Sequence, residues 1–294
     1  MQAVAAWLVA RPLNAILALA ATISLAWLSF LSGVVLVLLI LSKGVRAAAT
    51  DTLFAGGLIL IVGFIAQVPL ATIVSGALAI WLPAMLLGTM LTATRSLTFT
   101  LQLTVIIAVA AMIGFFLLAG DPSEFWLTVL TAVIEVWREV GLNEQADLLA
   151  AEITTIAEQM TMVAVLLTWS VHSAACVLGY KLFRQLPDET DRYGRFRDLN
   201  FGRVIALIMA LASIGALLSG AVWLQNIAFV MFAIFWLQGL AIVHWLHGER
   251  LLPTFGVIAV YVLAPFLNVV LMMGLAVTGY IDAWFGFRRR RVAQ

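Results

Sequence analysis

Nine polar side chains lie within long apolar stretches of this chain: Asn14, Gln67, Gln102, His172, Asn226, Gln238, His244, Asn268 and Asp282. A polar group placed in lipid without a partner is costly, so each of these must hold a ligand or bond another part of the chain. The densest cluster is Phe235-Trp236-Leu237-Gln238-Gly239-Leu240-Ala241, followed by His244. On a helix Gln238 shares a face with Ala241, Ile242 and Trp245, while His244 lies with Leu237 and Leu240. Asn226 precedes His244 by 18 residues, five helical turns, which puts both on one side at opposite ends. Two kinds of chemistry fit. Asn226, Gln238 and His244 can form a solute site. Alternatively, Gly239 lets a neighbouring backbone approach, Gln238 bonds across that contact, and His244 sits near the headgroups. His172 suits a packing hydrogen bond better than ligation.

Other chemistries find no residues to run on. The sequence has no GxxxxGK[ST], CxxC, HExxH or GxSxG pattern, so it offers no catalytic site and no means of hydrolysing ATP. Its 3 histidines are scattered and lack metal-ligand spacing. No metal and no cofactor is therefore expected. Cys176 is the single cysteine, which excludes an internal disulfide. Charge is nearly absent from the span centres, with Asp51 near one span end and Asp282 near the C-terminal arginines. That scarcity weighs against a proton pump or ion antiporter and leaves coupling through histidine open.

The elements that must position these groups are membrane helices. Hydrophobic residues make up 64% of the chain and charged residues 11%, and the mean hydropathy is +1.11. The apolar runs are 13–41, 52–67, 70–92, 97–119, 159–183, 201–223, 227–246 and 251–283. A hydrocarbon core takes about 20 residues of helix. Six runs read as single spans; the first and last, 29 and 33 residues long, read as one tilted helix or two short ones each. The weak points are Ser29–Gly33 in the first and Pro265 in the last. The expectation is an all-α, polytopic transmembrane helical bundle of about 8–10 membrane segments. Residues 1–294 then form a single integral membrane domain, with lipid as its solvent and no autonomous ATPase, kinase or nucleic-acid-binding module. Met1–Pro12 lacks the basic start and small-residue cleavage site of a signal peptide, so the first run is expected to stay as an anchor.

Basic residues set the orientation. Lys43, Arg46, Arg95, the loop residues Lys181, Arg184, Arg192, Arg195, Arg197 and Arg203, then Arg250 and Arg288–Arg291 mark one side. The connections at 67–69, 119–158 and 224–226 carry almost none. The loop at 184–200 and the C-terminus are therefore expected in the cytoplasm, and the last run is expected to cross twice or dip and return. A doubled first run would also put Arg11 and the N-terminus inside. The loop mixes its arginines with Asp188, Glu189, Asp191 and Asp198. Arg192, Arg195 and Arg197 are its candidate contacts for a cytoplasmic partner; orientation alone is the simpler role.

Segment 121–158 is the one sizeable piece outside the lipid, with eight acidic residues and one arginine. Asp121-Pro122-Ser123-Glu124 is a strong helix start. Phe125, Val129, Ala132, Val133 and Val136 follow at helical spacing, Gly141-Leu142-Asn143 breaks the helix, and Glu144 resumes it into the next span. This predicts an amphipathic extracytoplasmic helical hairpin on the outer surface, or a lid over a substrate entrance. Small residues at four-residue spacing, Ala71-Ser75-Ala79, Ala206-Ala210 and Ala212-Ala216-Gly220, suit close helix packing in lipid.

The C-terminal third is the most distinctive. Asn200-Phe201-Gly202-Arg203, Asn226, the 235–241 cluster with His244, Tyr261, Gly279, Asp282-Ala283-Trp284-Phe285 and Arg288-Arg289-Arg290 resemble the YybS-like family. So do Asp121–Trp126 and the loop Leu186-Pro187 to Leu199. These are uncharacterised bacterial multi-span membrane proteins. The resemblance implies a bacterial cytoplasmic (inner) membrane and no established activity. It also carries a distant likeness to the substrate-binding subunits of energy-coupling-factor transporters, which bind a small molecule and borrow ATPases from partner chains. This chain has more spans than those subunits. Two functions compete: a solute-binding or transport-associated subunit without its own ATPase, taking an unidentified small-molecule ligand, and a membrane scaffold or regulator that binds other membrane-protein subunits. A lipid-acting enzyme would need a nucleophile, base or metal pair that the sequence lacks.

Overall fold

The computed structural model describes residues 1–187 and 192–288. The expectations for Asp188, Glu189, Asp191 and Arg289–Arg291, and for the Asn268 side chain, lie outside the described residues. The helices are α1 (Gln2–Ala10), α2 (Pro12–Ser24), α3 (Ser29–Lys43), α4 (Val45–Ile65), α5 (Leu70–Thr94), α6 (Leu97–Ala119), α7 (Pro122–Glu139), α8 (Asn143–Ala151), α9 (Ile153–Phe183), α10 (Gly202–Ser219), α11 (Val222–Gly248) and α12 (Thr254–Phe285). No strand occurs among the described residues. In lipid the helix is the element that satisfies its own backbone groups, and the long apolar runs fold accordingly. Among the described residues 6 helices are long and apolar enough to cross a membrane: α4, α5, α6, α9, α10 and α11. The α1–α2 pair, bent by 112°, passes the same test as a unit. The protein is a polytopic helical membrane protein.

The chain divides into two compact units, one of residues 1–101 and 170–196, the other of residues 102–169 and 197–294. In the first, α3 is the core. Ser32 to Ile40 are buried without interruption, the pattern of a helix enclosed on all sides. The first apolar run takes its two-helix form. It breaks in a short 3₁₀ turn at Ala26–Leu28, just ahead of the Ser29–Gly33 weak point, and α3 folds back on α2. The Ser32 hydroxyl donates to the Leu19 carbonyl at 3.0 Å and accepts from the Trp81 indole at 2.8 Å. At 13 and 15 residues, α2 and α3 are about 20 and 22 Å long, each shorter than a hydrocarbon core of about 30 Å. The loop side of this unit is held by Tyr180, whose hydroxyl donates to the Gly194 carbonyl (2.9 Å) and accepts from the Tyr193 amide (3.1 Å). Leu97 N–H then donates to the Tyr193 carbonyl at 2.8 Å.

In the second unit α10, α11 and α12 pack together. One expectation fails here. The last apolar run does not turn back on itself: α12 is a single helix of 32 residues that carries Pro265 inside it. Proline removes one donor, but a helix surrounded by other helices or lipid tolerates that loss. The hairpin was expected so that the tail could return to the loop. The return is made instead by packing, since Arg288 past the end of α12 bonds the loop directly. α7 starts where its sequence signal places it, with the Asp121 carboxylate accepting from Ser123 N–H at 2.9 Å and from its hydroxyl at 2.7 Å. The hydroxyl bond, then the backbone bond, lower the Asp121 pKa below its ordinary value. A lowered folded value means that this cap is fully present above the usual aspartate range and is lost as pH falls through the folded value.

A glycine contrast tests the packing of α3. A Cβ on Gly179 would stand 2.8 Å from the Val34 carbonyl oxygen and 2.7 Å from Val37 Cβ, whereas one on Gly76 meets nothing within 4 Å. Gly179→Leu should lower thermal stability in detergent by about 1–3 kcal/mol, the usual cost of overpacking. Gly76→Leu should be near neutral. Equal effects would show that α3 is not enclosed.

Candidate functional site

The site grows from a close helix crossing. A Cβ on Gly239 would collide with the Leu275 carbonyl of α12, and one on Gly279 with the Phe235 carbonyl of α11. With hydrogens at both positions the two backbones touch, and the side chains beside them are forced together. Phe235 sits edge-on between Phe201 (5.7 Å) and Tyr280 (5.4 Å). Gln238, fully enclosed, then reaches α12. Its amide nitrogen donates to Asp282 Oδ2 at 2.8 Å, and its oxygen accepts from Phe201 N–H at 2.7 Å.

Asp282 is also fully buried, and its counter-ion is Arg288. Six positions along an unbroken helix would point the arginine away. Gly286 makes the difference: at φ +57° it takes the left-handed conformation, closes α12 with its N–H on the Asp282 carbonyl at 2.8 Å, and turns the chain back. Arg288 Nε and Nη2 then donate to Asp282 Oδ2 at 3.0 and 2.6 Å. Its remaining donors reach the loop, Nη1 to the Arg197 carbonyl and Nη2 to the Leu199 carbonyl, both at 2.7 Å. Gln102 of α6 completes the clamp by donating to the Asn200 and Phe201 carbonyls at 2.9 and 3.2 Å. Arg203 Nε donates to the Trp284 carbonyl at 3.1 Å. Loop 197–203 is thus tied to α6, α11 and α12 through polar groups lodged among apolar ones. Asp282 Oδ1 is enclosed and has no hydrogen-bond partner among the described residues.

The candidates from the sequence do not converge on one site. Gln238 and Gly239 stand in the clamp. Asn226 lies 12 residues earlier, about 18 Å along α11, with its amide nitrogen on the Glu158 and Val222 carbonyls at 3.2 and 3.0 Å. His244 is paired with the Tyr261 hydroxyl at 2.8 Å. His172 Nε2 meets the Ala79 carbonyl at 3.0 Å. Arg192 and Arg195 belong to the first unit and Arg197 to the second; Arg197 faces Glu249 of its own chain at 3.9 Å. Among the described residues no three His, Cys, Asp or Glu side chains come together as a metal site. Sequence reasoning gave Arg288 an orienting role and a place in the family resemblance, and counted Gln102 among the nine intramembrane polar groups without assigning its partner. The usable signal was charge: Asp282 is an acid placed where an apolar helix meets a run of arginines.

A family model described as "Predicted membrane protein (DUF2232)" matches residues 13–283. The chain belongs to this family. The match includes Gln102, Gln238, Gly239 and Asp282 and ends short of Arg288. No curated protein and no solved structure matches the chain. Family membership states a membrane protein and assigns no activity, so the chemistry of the clamp has to be taken from its own groups. None is a nucleophile beside a base. Apart from Asp282 Oδ1, they are donors and acceptors bonded to one another, which is the arrangement of a lock.

Removing one partner of a buried ion pair strands the other, at a cost of about 3–5 kcal/mol. Arg288→Gln should therefore lower the thermal midpoint in detergent sharply, and adding Asp282→Asn should restore most of the loss. Gln238→Leu leaves the Phe201 N–H unsatisfied and should cost about 1–3 kcal/mol. Three variants as stable as the parent would remove the lock.

Proposed function

We propose that this DUF2232 protein is a membrane scaffold or regulator that presents its 184–200 loop to other membrane-protein subunits. In this reading it sits in a bacterial cytoplasmic membrane with the loop and the C-terminus inside. The observation that carries the proposal is the clamp itself. The Gln238 amide and the Arg288 guanidinium, groups that a solute site would turn toward a ligand, are bonded within the chain, and what they hold is the Phe201 amide and the carbonyls of Arg197 and Leu199. A loop serving only as an orientation signal needs positive charge and no fixed shape. Described parts of this one are held, Tyr193 and Gly194 within the first unit and, separately, residues 197–201 within the second. Held backbone in a segment of mixed charge suits docking, where complementary charges set register.

The second reading, a solute-binding or transport-associated subunit without its own ATPase, also has support. An open groove of about 430 Å³ on α10 and α11 is lined by Ser213, Leu217, Gln225, Phe229 and Phe232. The resemblance to YybS-like proteins, and through them to energy-coupling-factor subunits, points the same way.

Arg192→Glu with Arg195→Glu separates the two. Arg197 is left in place because of its pair with Glu249, and Lys181, Arg184 and Arg203 keep the orientation signal. Crosslinking and co-purification from membranes should lose a partner chain that the parent retains, with topology unchanged. The same partner set on both proteins would overturn the scaffold reading. A small molecule in native mass spectra of the parent, with no partner chain, would favour the transport reading.

A further inference from the structure

α7 is a helix with three distinct faces. One packs inward: Leu130 and Ile134 are buried, and the Trp126 indole donates to the Thr161 hydroxyl of α9 at 2.8 Å. A second carries Glu124, Thr128, Thr131, Glu135 and Glu139, all open to solvent. The third is apolar and equally uncovered. Phe125, Val129, Val136 and Val140 are 50%, 36%, 54% and 65% exposed, with Ala132 between them. Their spacing of four, three, four and four residues makes a single stripe along the helix, set apart from both other faces. A helix lying free in water gains nothing from such a stripe, which exposes apolar area and raises the risk of aggregation.

The position of α7 indicates what covers it. Within its unit, α6 runs from Gln102, bonded to the 200–201 backbone, to Ala119, a length of about 26 Å. That is close to one hydrocarbon thickness of about 30 Å, so α7 begins at the membrane surface opposite the clamp. The stripe is also continuous with the lipid-facing surface. Phe125, its first residue, packs edge-on against Phe115 of α6 at 5.7 Å. Beyond Phe115, Leu117 and Leu118 are 80% and 91% exposed, as expected of side chains solvated by lipid. Left-handed glycines at Gly120 and Gly141 turn the chain at the two ends of α7, which lets it leave the direction of α6.

We infer that α7 is an in-plane interfacial helix: its Phe125–Val140 stripe docks into the headgroup–acyl boundary of the leaflet opposite the clamp, and its glutamates stay in water. The partner is phospholipid. Burial of an apolar stripe by a few ångströms at that depth is the usual mode of such helices. Through Trp126 the helix is fastened to α9, so lipid packing in that leaflet acts on a span of the bundle. This inference stands apart from the scaffold reading, which concerns the other face.

The test uses the full chain in phosphatidylcholine vesicles, in a Cys176→Ala background, with an environment-sensitive fluorophore on single cysteines. Val136→Cys and Glu135→Cys are neighbours in sequence and lie on different faces. The label at 136 should emit to the blue and be quenched by doxyl-labelled lipid, and the label at 135 should respond to aqueous iodide alone. Val129→Cys against Thr128→Cys repeats the comparison two turns earlier, which guards against local unfolding at one site. Water-like emission at both 136 and 129 would overturn the proposal. So would labels there shielded from lipid quencher and iodide alike, because protein rather than lipid would then cover the stripe.

Discussion

A carboxylate with no access to water needs a cation, and for Asp282 that cation is Arg288 at 2.6 Å. Much of the second unit follows from this pair. The arginine can reach back only because Gly286 turns the chain, and it can be buried only if its other donors are satisfied. The Arg197 and Leu199 carbonyls satisfy them, so burying the charge orders the loop. Gln238 donates to the same carboxylate oxygen as the arginine, Oδ2, and passes the constraint on to Phe201. The glycine crossing at 239 and 279 is what lets Gln238 reach Asp282. Apolar packing holds the helices, and this polar chain selects which loop conformation they hold.

Such a cluster adds less net stability than its bond lengths suggest, since desolvation of the charges offsets the attraction. What it supplies is a single arrangement, because any other leaves a buried charge alone. A loop that merely marks a side of the membrane does not require such a constraint. The first unit solves a related problem by different means. There a buried helix shorter than the hydrocarbon core is enclosed by its neighbours, and the Ser32 hydroxyl serves as both donor to α2 and acceptor from Trp81.

The class and most helices were legible from hydropathy, because lipid leaves the backbone few alternatives. The α7 boundary was legible too, since Asp121-Pro122 is a local signal with a local cause. The double first run was legible only as an alternative, because no proline or glycine marks residues 25–28 and so nothing local signals the turn there. The single last helix was misread because Pro265 breaks helices in water far more reliably than in a bundle. Gln238 and Gly239 stood out as the polar and small residues of a buried stretch. Arg288 did not, since its partner depends on a left-handed turn at Gly286 and its remaining acceptors lie about 90 residues away.

Amide hydrogen exchange over residues 196–203 tests the central claim most directly. If Arg288 and Gln238 clamp the loop, its amides, Phe201 above all, should exchange in detergent nearly as slowly as those inside α11. Replacing Arg288 with Gln should release them while the helices stay protected. Fast exchange in the parent, or slow exchange that survives the loss of Arg288, would contradict the account.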